Sequence, residues 1–405
     1  MSTPNSSLPV QLINYTGLDI SNVVLKHRYD KDHFDEMKWT MLKDGDTATG
    51  LQAKFWTGAF RTGKDYWQIL FEYNGATFTC KDNFYCFLTK KDAAKANGVV
   101  TITLTLSEML VKPPVSKSDH VTITQSGFPM ANKRDGFYNI AHMVNTPKAI
   151  CWALSKGANG LEADLNFDED GNPTVYEHGG LVSDCTCNLL PSDNHVCSVV
   201  SKDDKTPAAE LLRCIACQPN VALHVVDTKM NDDVDQRAAG ANVIKLLENE
   251  LFGAGYQGNV IVGVGATKYI DYIKAAVKQA SGSRYKARIS FTFDGEFDDY
   301  EKVFNALSNL NSVHKAYGTG ITACSPSTYY PAILRGCVEE TRAFHGLTYI
   351  WTLDSTSSMK KYLQHGVRGI MTNRPGDLRD LLDNDGIELA KPATLIPPAT
   401  TQASL

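Results

Sequence analysis

The stretch GLEADLNFDEDGNPTVYEHGG, residues 160–180, sets two acids, Glu162 and Asp164, two positions apart on an otherwise apolar run, and delivers His178 about a dozen residues later. On an extended chain, side chains two apart point to the same face. Two like charges facing one side are costly unless they are solvated, paired with Lys or Arg, or neutralised by a cation. An isolated Glu-x-Asp is more often solvated or paired than metal-bound, so its meaning depends on what surrounds it.

Around this stretch, from about residue 121 onward, apolar strands alternate with helical periods, which argues for βα units around a parallel sheet. Eight strands are read: FYNIAHMV (137–144), GANGLEADLNF (157–167), VALHVVDTKM (221–230), NVIVGVG (259–265), ARISFTFDG (287–295), HKAYGTGIT (314–322), GLTYIWTLD (346–354) and VRGIMTN (367–373). Eight such units in roughly 250 residues fit a TIM (β/α)8 barrel. Residues 8–110 read differently. VVTITLTL (99–106) and GKDYWQILFEY (63–73) have the period of half-buried strands, and turns such as NYTG and KDGD separate them. The expectation is a small all-β sandwich over 1–110. VKPPVSKSDH (111–120) is expected to be a linker, 121–385 the barrel and 386–405 a mobile Pro/Thr/Ala-rich tail.

The chain has 405 residues, 43% hydrophobic and 21% charged, with a formal net charge of -5. Without a concentrated Lys/Arg run, a nucleic-acid partner is excluded. No apolar window reaches the roughly 18 residues of a membrane span, and MSTPNSSLPVQLINYTG shows neither a basic nor an apolar leader segment. The expectation is a protein that is cytoplasmic or exported without a signal peptide. Ten cysteines are then expected to stay reduced. CIAC (214–217) offers two thiols at the spacing of a redox or zinc half-site, but no second CxxC completes a zinc site.

In a TIM barrel the reactive groups collect at the C-terminal ends of the strands. HVVDTKM places Asp227 and Lys229 at that end of the third strand, beside Glu162 and Asp164 on the second. Three carboxylates suit a hard cation such as Mg²⁺, and a lysine beside them adds positive charge for a phosphate. His142 ends the first strand and His178 follows the second. Two imidazoles on either side of a phosphodiester fit proton transfer to and from it. The other eight histidines, His27, His224 and His365 among them, are read as structural. On the seventh strand Tyr349 and Trp351 share a face with Asp354 beyond, and Asn373 ends the eighth. Aromatic faces at a barrel mouth are suited to a quaternary ammonium, though core packing is the commoner use.

NIAHMVN, GANGLEADLNFDEDGNPTVYEHG, VVDTK, YIWTLD and GVRGIMTNRP, in this order over roughly residues 135–380, together resemble the sphingomyelinase D/phospholipase D toxins of spider venoms, actinobacteria and fungi, relatives of the glycerophosphodiester phosphodiesterases. The resemblance implies a Mg²⁺ site of Glu162, Asp164 and Asp227 and a catalytic pair His142 and His178. It implies phosphate or headgroup contacts from Lys229, Tyr349, Trp351 and Asn373, with Asp184 and Asp354 in support. It also implies a phospholipid or sphingolipid substrate at a membrane surface, approached peripherally, and attack by the substrate's own hydroxyl to give a cyclic phosphate. Cys185 and Cys324 align with a pair that bridges two loops in some members. Two departures stand out: LVSDCTC replaces the usual PCDC, and the family's C-terminal plug is absent, so barrel closure must differ. The aromatic strands before residue 110, with Trp39, Trp56 and Trp67, resemble lipid-binding fungal sandwich proteins of the aegerolysin type. The alternatives are a glycerophosphodiester hydrolase, or a lipid-binding or lytic protein whose barrel is only a scaffold.

Overall fold

The structure, a computed structural model, describes residues 4–29, 33–57, 64–73, 76–126, 136–178, 185, 192–201, 204–295, 300–323, 330–341 and 343–400. Two compact units divide the chain, Met1–Met130 and Ala131–Leu405.

The first unit holds β1 (Ser6–Asn14), β2 (Ile20–Arg28), β3 (Phe34–Leu42), β4 (Thr47–Phe55), β5 (Tyr66–Tyr73), β6 (Ala76–Cys80), β7 (Val100–Leu104), β8 (Glu108–Lys112) and β9 (Asp119–Ser126). They join in the order β3-β2-β5-β6-β9-β8-β7-β1-β4. The alternation read in VVTITLTL is realised, with Val100, Ile102 and Leu104 buried and the threonines between them half-exposed. The expected linker at 111–120 is corrected. Its ends belong to β8 and β9, which pair with each other, and β9 then runs on to pair with β6. Pro113 and Pro114 interrupt pairing because proline lacks the N–H a ladder needs, but they sit in a turn that is pinned. Buried Asp92 accepts the N–H groups of Val115 and Ser116 at 2.9 and 2.8 Å.

The second unit carries β10 (Tyr138–Ala141), β11 (Gly160–Phe167), β14 (Leu223–Thr228), β15 (Asn259–Val264), β16 (Ile289–Phe293), β17 (Tyr317–Gly320), β18 (Thr348–Trp351) and β19 (Gly369–Thr372). Each lies inside one of the eight stretches read from the sequence. They form one sheet, β16-β15-β14-β11-β10-β19-β18-β17, and the short strands β12 (Pro173–Tyr176) and β13 (Thr206–Pro207) extend β11 at its side. The sheet is a nearly closed barrel: among the described residues, β16 and the run that leads into β17 meet through a single bridge, Phe291 to Lys315.

Strand period sets what faces where. Leu161, Ala163, Leu165 and Val226 pack outward with helix residues such as Ile150, Leu211 and Val243. Tyr138, Ile140, Val225, Ile261, Tyr349 and Met371 pack together in the barrel interior. Glu162, Asp164 and Asp227 alternate with the outward set and so project inward. The tail expected to be mobile is corrected as far as residue 400. Ala390 and Ile396 are buried in the interior cluster, and Asn259 holds the segment by donating to Thr394 O at 2.7 Å and accepting from Ile396 N–H at 3.2 Å. This segment fills the base of the barrel, which corrects the expectation that a C-terminal plug is absent. Its two buried residues, Ala390 and Ile396, are too far apart in a Pro-rich run to show a period.

Candidate active site

The acids come first, because two backbone devices fix them. His142 follows directly on β10, and Met143 turns the chain at φ 56°. That left-handed conformation costs a branched or bulky residue about 1 kcal/mol. It is held by the Met143 N–H, which donates to Glu162 Oε2 at 2.7 Å. Asn145 grips Asp164 twice: its amide donates to Oδ2 at 2.6 Å, and its Oδ1 accepts the Asp164 N–H at 2.8 Å. Parallel register sets Asp164 level with Asp227. One carboxylate oxygen from each of Glu162, Asp164 and Asp227 lies within 4.8 Å of the others.

Lys229 is the cation among them, its Nζ 2.7 Å from Asp164 Oδ1 and 2.5 Å from Asp227 Oδ2. Burial works against its charge, but the three acids hold its pKa well above the usual lysine range. Burial also pushes Asp164 up, yet the Lys229 and His178 charges and the Asn145 hydrogen bond hold it at about 2. Glu162 is not so compensated: burial and the Asp164 charge push it to about 8. One ammonium therefore does not neutralise the trio. Glu162 Oε1 is buried without a hydrogen-bond partner, and an oxygen-only donor set with one unsatisfied lone-pair site fits a hard divalent cation.

His142 and His178 face this cluster, ring centroids 6.4 Å apart and planes at 85°. Both line a cavity of about 450 Å³ with Glu162, Asp227, Lys229 and Trp351. The tautomer of His142 follows from its partners. Asn373 donates its amide N–H to Asp354 Oδ2 at 3.0 Å, so its Oδ1 is the atom 2.9 Å from His142 Nδ1. An amide oxygen only accepts, so Nδ1 carries the proton and Nε2, 3.8 Å from Glu162 Oε2, is the basic nitrogen.

Asp354 is held in turn by Asn373 N–H at 2.9 Å, by the Thr372 hydroxyl at 3.3 Å and by His195 Nε2 at 3.2 Å. His195 is fully buried, and its Nδ1 accepts the Cys197 N–H at 3.2 Å, so Nε2 is the protonated nitrogen that donates to Asp354. Burial raises the Asp354 pKa, but the His195 and Asn373 hydrogen bonds bring it below the usual carboxylate range.

Several expectations change here. Tyr349 was expected to meet the headgroup; it is instead fully buried below the cavity, and its hydroxyl donates to Asp294 Oδ2 at 2.8 Å. Gly318 makes room for its ring, since a Cβ there would lie 2.3 Å from Tyr349 Cζ. The Cys185–Cys324 bridge is replaced: Cys185 is bonded to Cys197, Cα atoms 5.6 Å apart. That bond also overturns the expectation that all the thiols stay reduced. Cys324 and Asp184 lie outside the described residues.

Three polar residues of the site were not read from the sequence. Asp294 stands just beyond β16 in FTFDG and lines the cavity, its pKa pushed to about 7 by burial and the Asp227 charge. The rule that singled out Asp354 would have found it. Asn145 stood three residues past His142 in HMVN. His195, in a loop without period, gave no signal.

Residues 132–394 match the model of the family described as "Dermonecrotic toxin SPH". The chain belongs to the dermonecrotic toxin family. Its enzyme class is therefore that of the sphingomyelinase D/phospholipase D-like phosphodiesterases, and the scaffold-only reading of the barrel is set aside. Among curated relatives, the dermonecrotic toxin LiSicTox-alphaII1 of Loxosceles intermedia is 29% identical over 62% of this chain and 85% of its own length. Dermonecrotic toxin Hl-PLD1 of Hemiscorpius lepturus is 27% identical over 64% and 82%. Among solved structures, a glycerophosphodiester phosphodiesterase from Parabacteroides distasonis superposes with TM-score 0.42 at 13% identity, over 62% of this chain and 99% of that one. Residues 5–128 match a second model, described as "Up-Regulated in long-lived daf-2".

Proposed function

We propose that this dermonecrotic toxin family member is a Mg²⁺-dependent phospholipase D-like lyase that releases choline or ethanolamine from sphingolipids and lysophospholipids. In this reading the substrate's own hydroxyl attacks phosphorus, the headgroup alcohol leaves, and a cyclic phosphate remains. The observation that carries it is the pair of imidazoles across one cavity above the acid trio, with His142 fixed as an Nδ1–H tautomer.

His142 Nε2, held by the Asn373–Asp354–His195 chain, accepts the proton of the attacking hydroxyl. His178, across the cavity, donates a proton to the departing oxygen. Lys229 places positive charge beside the nonbridging oxygens. Glu162, Asp164 and Asp227 would hold the Mg²⁺, which supplies further charge stabilisation at the phosphate. Trp351, on the cavity wall, offers a π face to the cationic headgroup.

Two further features belong to this reading. The first unit is a β-sandwich that docks on the lipid surface. Phe34, Phe87 and Tyr85 are 59%, 43% and 38% exposed. Cations lie over rings beside them, Lys26 over Phe34 at 5.8 Å and Lys64 over Tyr85 at 4.1 Å, a combination suited to a headgroup layer. Trp67 is core, and Trp39 and Trp56 are half-buried. Second, the Cys185–Cys197 bond argues for work in an oxidising compartment rather than the cytosol. No helix among the described residues is long and apolar enough to cross a membrane.

³¹P NMR of products from sphingomyelin, lysophosphatidylcholine and ceramide phosphoethanolamine tests the reaction. A cyclic phosphate signal is expected. A linear monoester alone would point to hydrolysis of the glycerophosphodiesterase kind and reject the intramolecular attack.

A further inference from the structure

At the opposite end of the barrel from the acids, the loops that precede β16, β17 and β18 enclose a second cavity of about 460 Å³. It lies where the barrel closes least, beside the single bridge between Phe291 and Lys315. Phe291, Leu310, Val313 and Phe344 give it apolar wall, and its polar lining includes Lys286, Ser312, His314 and Lys315.

Lys315 is the residue that packing does not explain. It is 6% exposed. Burial lowers its pKa, and among the described residues no carboxylate opposes that shift. The Phe344 ring, with its centroid 5.3 Å from Nζ, gives a cation–π contact, but a ring face does not replace a counter-ion. His314 beside it has a buried Nδ1 with no hydrogen-bond partner, and its own pKa is lowered by burial and the Lys286 charge. Two ammonium groups and an imidazole thus line one cavity that, among the described residues, has no acid in its lining. The N-terminal face of a TIM barrel ordinarily serves stability, and an ammonium drawn partly out of water onto a cavity wall without a counter-ion lowers stability. An anion in the cavity reverses that cost.

We propose that this cavity is a binding site for a small organic anion, a phosphate monoester or carboxylate bearing a short apolar group, with Lys315 as its counter-ion. Lys286 and the Ser312 hydroxyl offer further donors to the anionic head, and Phe291, Leu310 and Phe344 pack on the apolar part. The site is separate from the phosphodiester cavity and does not depend on the reaction assigned to it.

The test is calorimetry and thermal unfolding of the full chain with hexyl phosphate, hexanoate, inorganic phosphate and, as uncharged control, hexanol. Hexyl phosphate or hexanoate is expected to bind and raise the melting temperature, with hexanol inert; which of the two binds tighter identifies the head. Losing a charge-assisted hydrogen bond predicts at least about tenfold weaker binding for Lys315→Met, with Lys315→Arg within about threefold of wild type. Lys286→Met, at the exposed rim, is expected to weaken binding less and serves if Lys315→Met fails to fold. Lys229→Met, at the other end of the barrel, is expected to leave binding unchanged. The proposal is overturned if no anion binds, if Lys315→Met or Lys286→Met binds as wild type does, or if Lys229→Met abolishes binding.

Discussion

In the metal-free chain burial and the Asp164 charge push Glu162 up to about 8, which favours its protonated form at neutral pH, while against burial the Lys229 and His178 charges hold Asp164 down at about 2. A carboxyl whose folded pKa lies above its ordinary value of 4.5 contributes stability below that value and loses it as pH rises toward the folded pKa. Between those limits the metal-free protein should therefore weaken with pH, and a cation that requires ionised Glu162 should offset the loss. Calorimetry of Mg²⁺ binding in buffers of different ionisation enthalpy should show about one proton released near pH 7. Apparent affinity should rise with pH up to about 8. Proton uptake, or affinity flat across that window, would contradict this charge balance. The trio was legible because strand period and parallel register are sequence properties. The place of Tyr349 was not. Strand period gives its face but not its depth, and it sits two residues, roughly 6–7 Å along the strand, below Trp351.

Among the elements, the short helical turn Val196–Ser198 ties a loop to the barrel mouth. Val196 N–H donates to Asn373 O at 2.8 Å, His195 meets Asp354, and Cys197 is bonded to Cys185. His195 thereby bears on the orientation of His142 through Asp354 and Asn373, and it is not among the residues that line the cavity. His195→Ala should lower kcat about tenfold with KM near wild type, and His195→Gln, which keeps a donor, should recover much of it. Equal loss in both variants, or a change confined to KM, would make His195 merely structural. Sequence period could not show this contact, because it joins loop residues far apart in the chain. The same limit applied at 111–120, where prolines and polar residues read as a linker. Whether such a run is a free linker or a turn pinned by buried Asp92 depends on a partner about 23 residues away.

At the scale of the molecule, the proposed function divides the work between a first unit that meets lipid and a barrel that performs the chemistry, and each can be disturbed alone. Phe34→Ser combined with Phe87→Ser should reduce co-sedimentation with phosphatidylcholine–sphingomyelin vesicles by at least about tenfold, since each exposed ring contributes roughly 1–2 kcal/mol on insertion. Turnover of monomeric lysophosphatidylcholine should be unchanged. Unaltered vesicle binding would remove this face from the account. The barrel unit itself was legible strand by strand from the alternation of apolar strands and helical periods. Its base was not, because Ala390 and Ile396 fill it from a segment without period.

On the proposed function, His142, poised by Asn373 over the acid trio, moves the proton on which headgroup release depends. The direct measurement is the rate of choline release from lysophosphatidylcholine by folded His142→Ala protein beside wild type, at saturating Mg²⁺. A loss of about 10³-fold or more is predicted, the scale on which a positioned general base contributes. A rate within a few fold of wild type would remove His142 from that role.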